Sequence, residues 1–300
     1  MKNRSVSLFN RRCACYFSQL LSGDWRIKRL LLFLTVCGIA GYASAQVPVT
    51  TGLQLHLQAD SLGLSDGATV SSWTDLAGGN NNAINTGGSP TYVANGLNGH
   101  AVVSITGSLS FDGFSYTGQN NDFFNLASPV HNIQTVAMVF RKTSNNYYGG
   151  DVSMFGSLPT GWVNEAFNGD NQYGTTYWGT GADPAVRYGD LRINGASIGA
   201  GNGEYTSVPT TYHTMVFQIQ QGWGSDININ QIASATDDNA LVWGMDLAEL
   251  LVYDTALTPS EVTSVETYLN NRYFVPEPTS ASLVGLGVAA FIVMRRKLHR

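Results

Sequence analysis

Asp246 and Glu249 stand three residues apart in a sequence of 300. Paired carboxylates about 5 to 10 Å apart hydrolyse sugar bonds, but three steps along a strand send two side chains to opposite faces. No Glu-x-Asp-x-x-Glu run, which strand alternation would aim into one cleft, occurs in the sequence. His56, His100, His131 and His213 are scattered, with no His-x-x-x-His pair, no His-Glu-x-x-His metal motif and no Gly-x-Ser-x-Gly nucleophile elbow. They read as exposed or locally hydrogen-bonded residues. Gly199-Ala200-Gly201-Asn202-Gly203 lacks the Lys-Ser pair and the strand-to-helix setting of a phosphate loop, and reads as hairpin-turn sequence.

The sequence does concentrate aromatic side chains among Gly and Asn between Ser144 and Asp190. Sugars present apolar C–H faces that stack on rings, while Asn and Asp bind their hydroxyls. Tyr148, Trp162, Tyr173, Tyr177, Trp178 and Tyr188 are therefore candidate glycan-binding residues at loop tips. The same rings would serve equally well as core residues, and strand alternation leaves that choice open.

Composition narrows the partners. Charged residues make up 12% of the chain and most basic ones sit at its ends. Between Gln46 and Pro276, five Lys or Arg face nineteen Asp or Glu, a formal charge of −14. A body this acidic repels phosphate backbones, so nucleic acid is not an expected partner. The three cysteines, Cys13, Cys15 and Cys37, all precede the expected signal-cleavage site. The body therefore has no disulfide framework, thiolate metal site or cysteine nucleophile.

The elements that must position these residues are strands. Leu53, Leu55 and Leu57 alternate with Gln54, His56 and Gln58; Val103, Ile105, Leu109 and Phe111 alternate with polar residues in one run; Met215, Phe217 and Ile219 repeat the pattern. Period two with one polar face predicts half-buried antiparallel strands. Further strands are expected at Thr135 to Arg141, Val152 to Gly156, Leu191 to Asn194, Ile227 to Ile232 and Leu247 to Tyr253, separated by Gly, Asn and Ser. One helix stands out: Thr258 as N-cap, Pro259 at its first position and Glu261 closing a capping box. Val262, Val265, Leu269 and Tyr273 form its packing stripe, with Glu266 and Asn270 expected to face water.

The two ends read as addresses. Arg26, Lys28 and Arg29 precede an apolar run from Leu30 to Ala40 and the small-residue exit Ala43-Ser44-Ala45, the pattern of a signal peptide over residues 1–45 cleaved after Ala45. Residues 275–300 carry Pro276-Glu277-Pro278, an apolar run from Ser280 to Met294, and a basic terminus including Arg295 and Arg296. An apolar helix of that length spans roughly 22 Å, short of a hydrocarbon core of about 30 Å without snorkelling basic side chains. The positive-inside rule keeps the cations in the cytoplasm and puts everything before them outside. These residues resemble the PEP-CTERM sorting signal. That resemblance implies a transient transmembrane helix in the inner membrane and recognition by an exosortase, which cuts near the motif and passes the body to the cell surface or exopolysaccharide matrix. A permanent C-terminal anchor is the rival reading.

Residues 46–274, about 230 residues of short strands, predict an all-β, antiparallel two-sheet jelly-roll sandwich with one short C-terminal capping helix. Gly52-Leu53-Gln54-Leu55-His56-Leu57-Gln58-Ala59-Asp60 and Asp66 to Asp75 look like the opening of concanavalin A-like, laminin G-like (LamG-like) jelly rolls, and Ala248 to Asp254 with Leu257 to Glu261 look like their closing strand and helix. Proteins of this resemblance often hold one calcium ion, for which Asp60, Asp75, Asp237 and Asp238 are candidate oxygen ligands; as turn-forming residues they need no metal. Polysaccharide lyases of this fold carry a histidine-bearing strand, and Phe217-Gln218-Ile219-Gln220 lacks it. The expected function is that of an exported, non-catalytic surface or matrix protein contacting polysaccharide or another envelope component. The alternatives are a secreted carbohydrate-active enzyme, hydrolase or lyase, with an unfamiliar site, and a purely structural adhesin or coat protein.

Overall fold

Strands form here where β-branched and aromatic residues recur and stop where Gly, Asn or Pro intervene. The computed structural model describes residues 46–111, 116–145, 153–157, 166–167, 176–222, 226–234 and 243–275. Along them run β1 (Leu53–Gln58), β2 (Ser72–Trp73), β3 (Ala83–Gly87), β4 (Thr91–Leu97), β5 (His100–Ile105), β6 (Gly107–Phe111), β7 (Tyr116–Asn121), β8 (Phe123–Val130), β9 (Thr135–Asn145) and β10 (Phe155–Gly156). The single-turn helix α1 (Pro184–Arg187) follows, then β11 (Asp190–Ile193), β12 (Ala196–Ser197), β13 (His213–Gln218), β14 (Ile229–Ile232), β15 (Trp243–Tyr253) and helix α2 (Pro259–Tyr273).

Among the described residues, pairing is antiparallel and builds two sheets and a ribbon. The larger sheet has the order β12-β11-β13-β9-β15-β5-β4 with β1 also beside β15; the smaller is β10-β14-β8-β3-β2; β6 and β7 form the ribbon. β15 is the axis of the larger sheet. β9 lies along one edge of it, while the other edge is shared, β5 facing Met245 to Leu247 and β1 facing Glu249 to Tyr253.

Two apolar layers hold the body together. Leu55, Leu57, Val136, Met138, Phe217, Leu250 and Val252 of the larger sheet meet Trp73, Phe124, Leu126, Ile229 and Ile232 of the smaller one. On the opposite face, Val102, Ala137, Val139, Val216 and Leu251 are covered by Val262, Val265, Leu269 and Tyr273 of α2. Each such side chain contributes about 1.5 to 3 kcal/mol by leaving water. Covered on both faces, β15 is buried along its whole length.

Local chemistry fixes the turns and the helix start. Asn98-Gly99 (φ 50° and 91°) and Asn194-Gly195 (φ 51° and 82°) are both left-handed, as two-residue hairpins require. The capping box forms: Thr258 N donates to Glu261 Oε2 at 2.8 Å and Glu261 N to Thr258 Oγ1 at 3.4 Å.

Several expectations change. The run from Val103 to Phe111 divides at Thr106, whose N–H and hydroxyl are both captured by the buried Asp122. On the polar face of β1, His56 and Gln58 are buried rather than solvated: His56 binds Glu249 of β15, and Gln58 binds Glu249 and Tyr268 of α2. Glu266 is buried rather than water-facing, since Arg192 binds it through Nε at 2.7 Å and Nη2 at 3.1 Å. The Gly199-to-Gly203 stretch is not a hairpin turn; it leads from β12 into a 3-10 turn at Asn202–Glu204. No helix among the described residues is long and apolar enough to cross a membrane, and the expected segment Ser280 to Met294 lies outside them.

Candidate functional site

Strand β15 carries both carboxylates that looked most like an acid–base pair, and its backbone is irregular between them. Leu247 pairs with Phe140, but Glu249 pairs with the adjacent Val139, so the strand contains an extra residue at this point. A bulge of this kind resets alternation. Met245 and Leu247 point into the inter-sheet core before it and Leu250 and Val252 after it, which leaves Asp246 and Glu249 on the same outer face. The expectation that three-residue spacing parts them is therefore overturned.

Both carboxylates on this face carry hydrogen-bond partners. Glu249 is fully buried and accepts hydrogen bonds from His56 Nε2 and Tyr268 Oη at 2.8 Å, Tyr273 Oη at 2.7 Å and Gln58 Nε2 at 3.3 Å, with Arg272 Nε at 3.7 Å. Burial beside this carboxylate pushes the Tyr268 and Tyr273 phenols well above their usual range, so both remain O–H donors. Asp246 is bound by Arg141 through Nε and Nη2, each at 2.7 Å, and by Tyr212 Oη at 3.2 Å. Arg141 also stacks over the Tyr212 ring at 4.8 Å.

The two candidate calcium ligands among the described residues, Asp60 and Asp75, are occupied in the same way. Asp60 Oδ2 receives His100 Nδ1 and Arg272 Nη2 at 2.7 Å each, and Oδ1 receives Ala101 N at 2.7 Å. Burial alone would raise this carboxyl, but His100, the Ala101 N–H and Arg272 together lower it to about 2. Asp75 accepts the backbone N–H groups of His56 at 3.0 Å, Ala77 at 2.9 Å and Asn81 at 3.2 Å, fixing a turn. Oxygens committed to donors, one set beside a guanidinium, do not fit a calcium ion. No group of three or more metal-ligating side chains occurs among the described residues, and Asp237 and Asp238 lie outside them.

The histidines have partners that local sequence does not reveal. His213 is buried; its Nδ1–H donates to the Thr211 carbonyl at 3.0 Å, which leaves Nε2 to accept from Tyr177 Oη at 2.9 Å. Burial lowers the His213 pKa, keeping the ring neutral. His131 pairs with Asp226 at 2.7 Å on the surface.

The aromatic candidates separate into core and surface. Tyr177 and Trp178 are corrected: both are buried, Trp178 between Phe167 and Phe217, so neither offers a face to a ligand. Tyr148, Trp162 and Tyr173 lie outside the described residues. Tyr188, which caps α1, is 41% exposed, and Tyr205, which sequence reasoning missed, is 77% exposed.

Two glycines build this surface. At Gly203 a Cβ would lie 2.3 Å from Trp178 Cδ1, so only glycine lets the 199–206 segment settle on that ring. At Gly201 the backbone passes beside Tyr188, where a Cβ would be 3.4 Å from Cδ1. Between the exposed rings, Arg187 Nε and Nη2 each bind Glu204 at 2.7 Å, and the guanidinium sits 5.4 Å from the Tyr188 ring centre. Tyr188 directly follows Arg187 and Tyr205 directly follows Glu204, so this ion pair links the two segments that carry the rings. The signal that could have found Tyr205 is its Gly- and Asn-rich setting, just past the window that ended at Asp190.

The remaining expected sites, Ala43 and Ala45 at one end and Pro276, Glu277, Pro278, Arg295 and Arg296 at the other, fall outside the described residues. No curated protein matches the chain. Residues 274–297, beginning at the residue after α2, match the family model of the PEP-CTERM protein-sorting motif. The motif marks the chain as an exosortase substrate, exported as a membrane-anchored precursor and processed to the cell surface.

Proposed function

We propose that this is a non-catalytic surface or matrix protein whose body is a LamG-like jelly roll that contacts envelope polysaccharide. In this reading residues 1–45 are the signal peptide, 46–274 the jelly roll and 275–300 the sorting signal. The fold assignment is supported by β1 pairing with β15, since these strands belong to the opening and closing segments that carry the family resemblance. The non-catalytic reading is supported by the partners already bound to Asp246 and Glu249.

The observation that carries the proposal is a pair of exposed tyrosines, Tyr188 and Tyr205, on the body of an exported, exosortase-sorted chain. Rings presented to water on a fixed scaffold are what stacking on a sugar requires. The test is to express the chain with and without Ser280 to Arg300 and to fractionate cells, medium and matrix. The intact chain should yield a shortened product that co-purifies with matrix polysaccharide and is released from it by glycosidase digestion. Recovery of the product free of carbohydrate would refute the binding role.

A further inference from the structure

We infer that the Tyr188–Tyr205 surface selects uncharged polysaccharide, an inference that rests on the polysaccharide-binding reading above. The argument comes from the body's cations. Between Gln46 and Pro276 the sequence contains only Arg141, Lys142, Arg187, Arg192 and Arg272 as basic residues. Each one is placed beside an acidic or aromatic partner. Arg141 binds Asp246, Arg187 binds Glu204, Arg192 binds Glu266 and Arg272 binds Asp60, each at 2.7 Å. Lys142 is buried, with its ammonium 5.9 Å from the Trp243 ring centre.

Recognition of uronate, sulfate or phosphate depends on arginine or lysine donors that can close on the anion. At this surface the one guanidinium, Arg187, has Nε and Nη2 on Glu204 and Nη1 3.5 Å from the Thr180 carbonyl. An anionic polymer would have to displace Glu204 while approaching a body with fourteen more acidic than basic residues. An uncharged pyranose chain meets no such barrier. It stacks its C–H faces on Tyr188 and Tyr205. The Arg187–Glu204 pair then acts as a positioning element: it fixes the 3-10 turn that carries Tyr205 against the helix that carries Tyr188.

Affinity electrophoresis of the full-length chain tests this, in a sugar-free zwitterionic detergent, through gels cast with hydroxyethylcellulose, xyloglucan, alginate or hyaluronate. The expected result is retardation by at least one of the two neutral polymers, unchanged between about 0.05 and 0.5 M NaCl, and none by the acidic ones. Tyr188→Ala and Tyr205→Ala should each weaken retardation about tenfold, with thermal melting unchanged. Salt-sensitive retardation by alginate or hyaluronate would overturn the selectivity while leaving polysaccharide binding standing. Neutral-polymer retardation that survives the double variant would overturn the site. Retardation by none of the four would overturn the inference and the reading beneath it.

Discussion

The face of the larger sheet under α2 and the surface around Tyr188 use the same residue types to opposite ends. Under α2, Tyr268 and Tyr273 bury their rings and aim both phenols at Glu249, with partners that lie up to 210 residues apart in sequence. Around Tyr188 the rings are exposed, and Glu204 is paired to an arginine 17 residues away. The first arrangement ties the chain's start to its end; the second holds a small surface in shape. Damage to stability and damage to binding should therefore separate by region.

The largest test of that separation is Glu249→Ala. It leaves buried donors on His56, Tyr268 and Tyr273 without their acceptor and should cost about 3 to 5 kcal/mol in equilibrium urea unfolding, where Tyr205→Ala stays within about 0.5 kcal/mol. A loss below about 1 kcal/mol for Glu249→Ala would remove the distinction.

Acidity should distinguish two further groups, the buried His213 and the half-buried Asp60. Because His213 is held below its ordinary value of 6.5, the unfolded chain takes up a proton that the folded chain refuses. Stability then falls as pH drops below 6.5, with a slope of at most about 1.4 kcal/mol per pH unit. His213→Gln should flatten that slope. Asp60 behaves in the opposite sense: its contribution is complete above pH 3.8 and is lost as pH falls through about 2. Asp60→Asn should thus lower stability throughout the range above pH 3.8 and flatten the acid end of the curve, and an acid end as steep as the parent's would contradict the assignment.

Smaller effects sharpen the comparison. Thr258→Ala removes the N-cap of α2 and should lower stability by about 1 kcal/mol without touching carbohydrate retention. Glu204→Gln should change stability by about 0 to 1 kcal/mol yet free Arg187. Retardation by alginate should then emerge at low salt and vanish at high salt. A variant as indifferent to alginate as the parent would mean that Glu204 does not control the charge of this surface.

Elements with a local cause were legible in the sequence. The leucines of β1 and the Thr258-Pro259-Ser260-Glu261 start of α2 need only nearby residues, and both formed where expected. The bulge between Leu247 and Glu249 has no such signature: nothing in Leu-Ala-Glu announces an extra residue, and its effect appears only when β9 is alongside. Glu266 looked solvated because its position on the helix was readable while Arg192, 74 residues earlier, was not. Tyr177 and Tyr188 looked equivalent by composition. Burial separated them, and burial depends on which loop lies over which ring.

The lock on the end of α2 sets how far the body can stray before it is cut. Tyr273 is held by Glu249 through its phenol and by Asn98 through its carbonyl at 2.7 Å each. From there to Ser280, where the apolar run of the sorting signal begins, lie seven peptide steps, at most roughly 24 Å of chain. A domain of this size measures roughly 45 Å across. The precursor is thus a short-leashed cargo, kept close to the membrane until exosortase cuts.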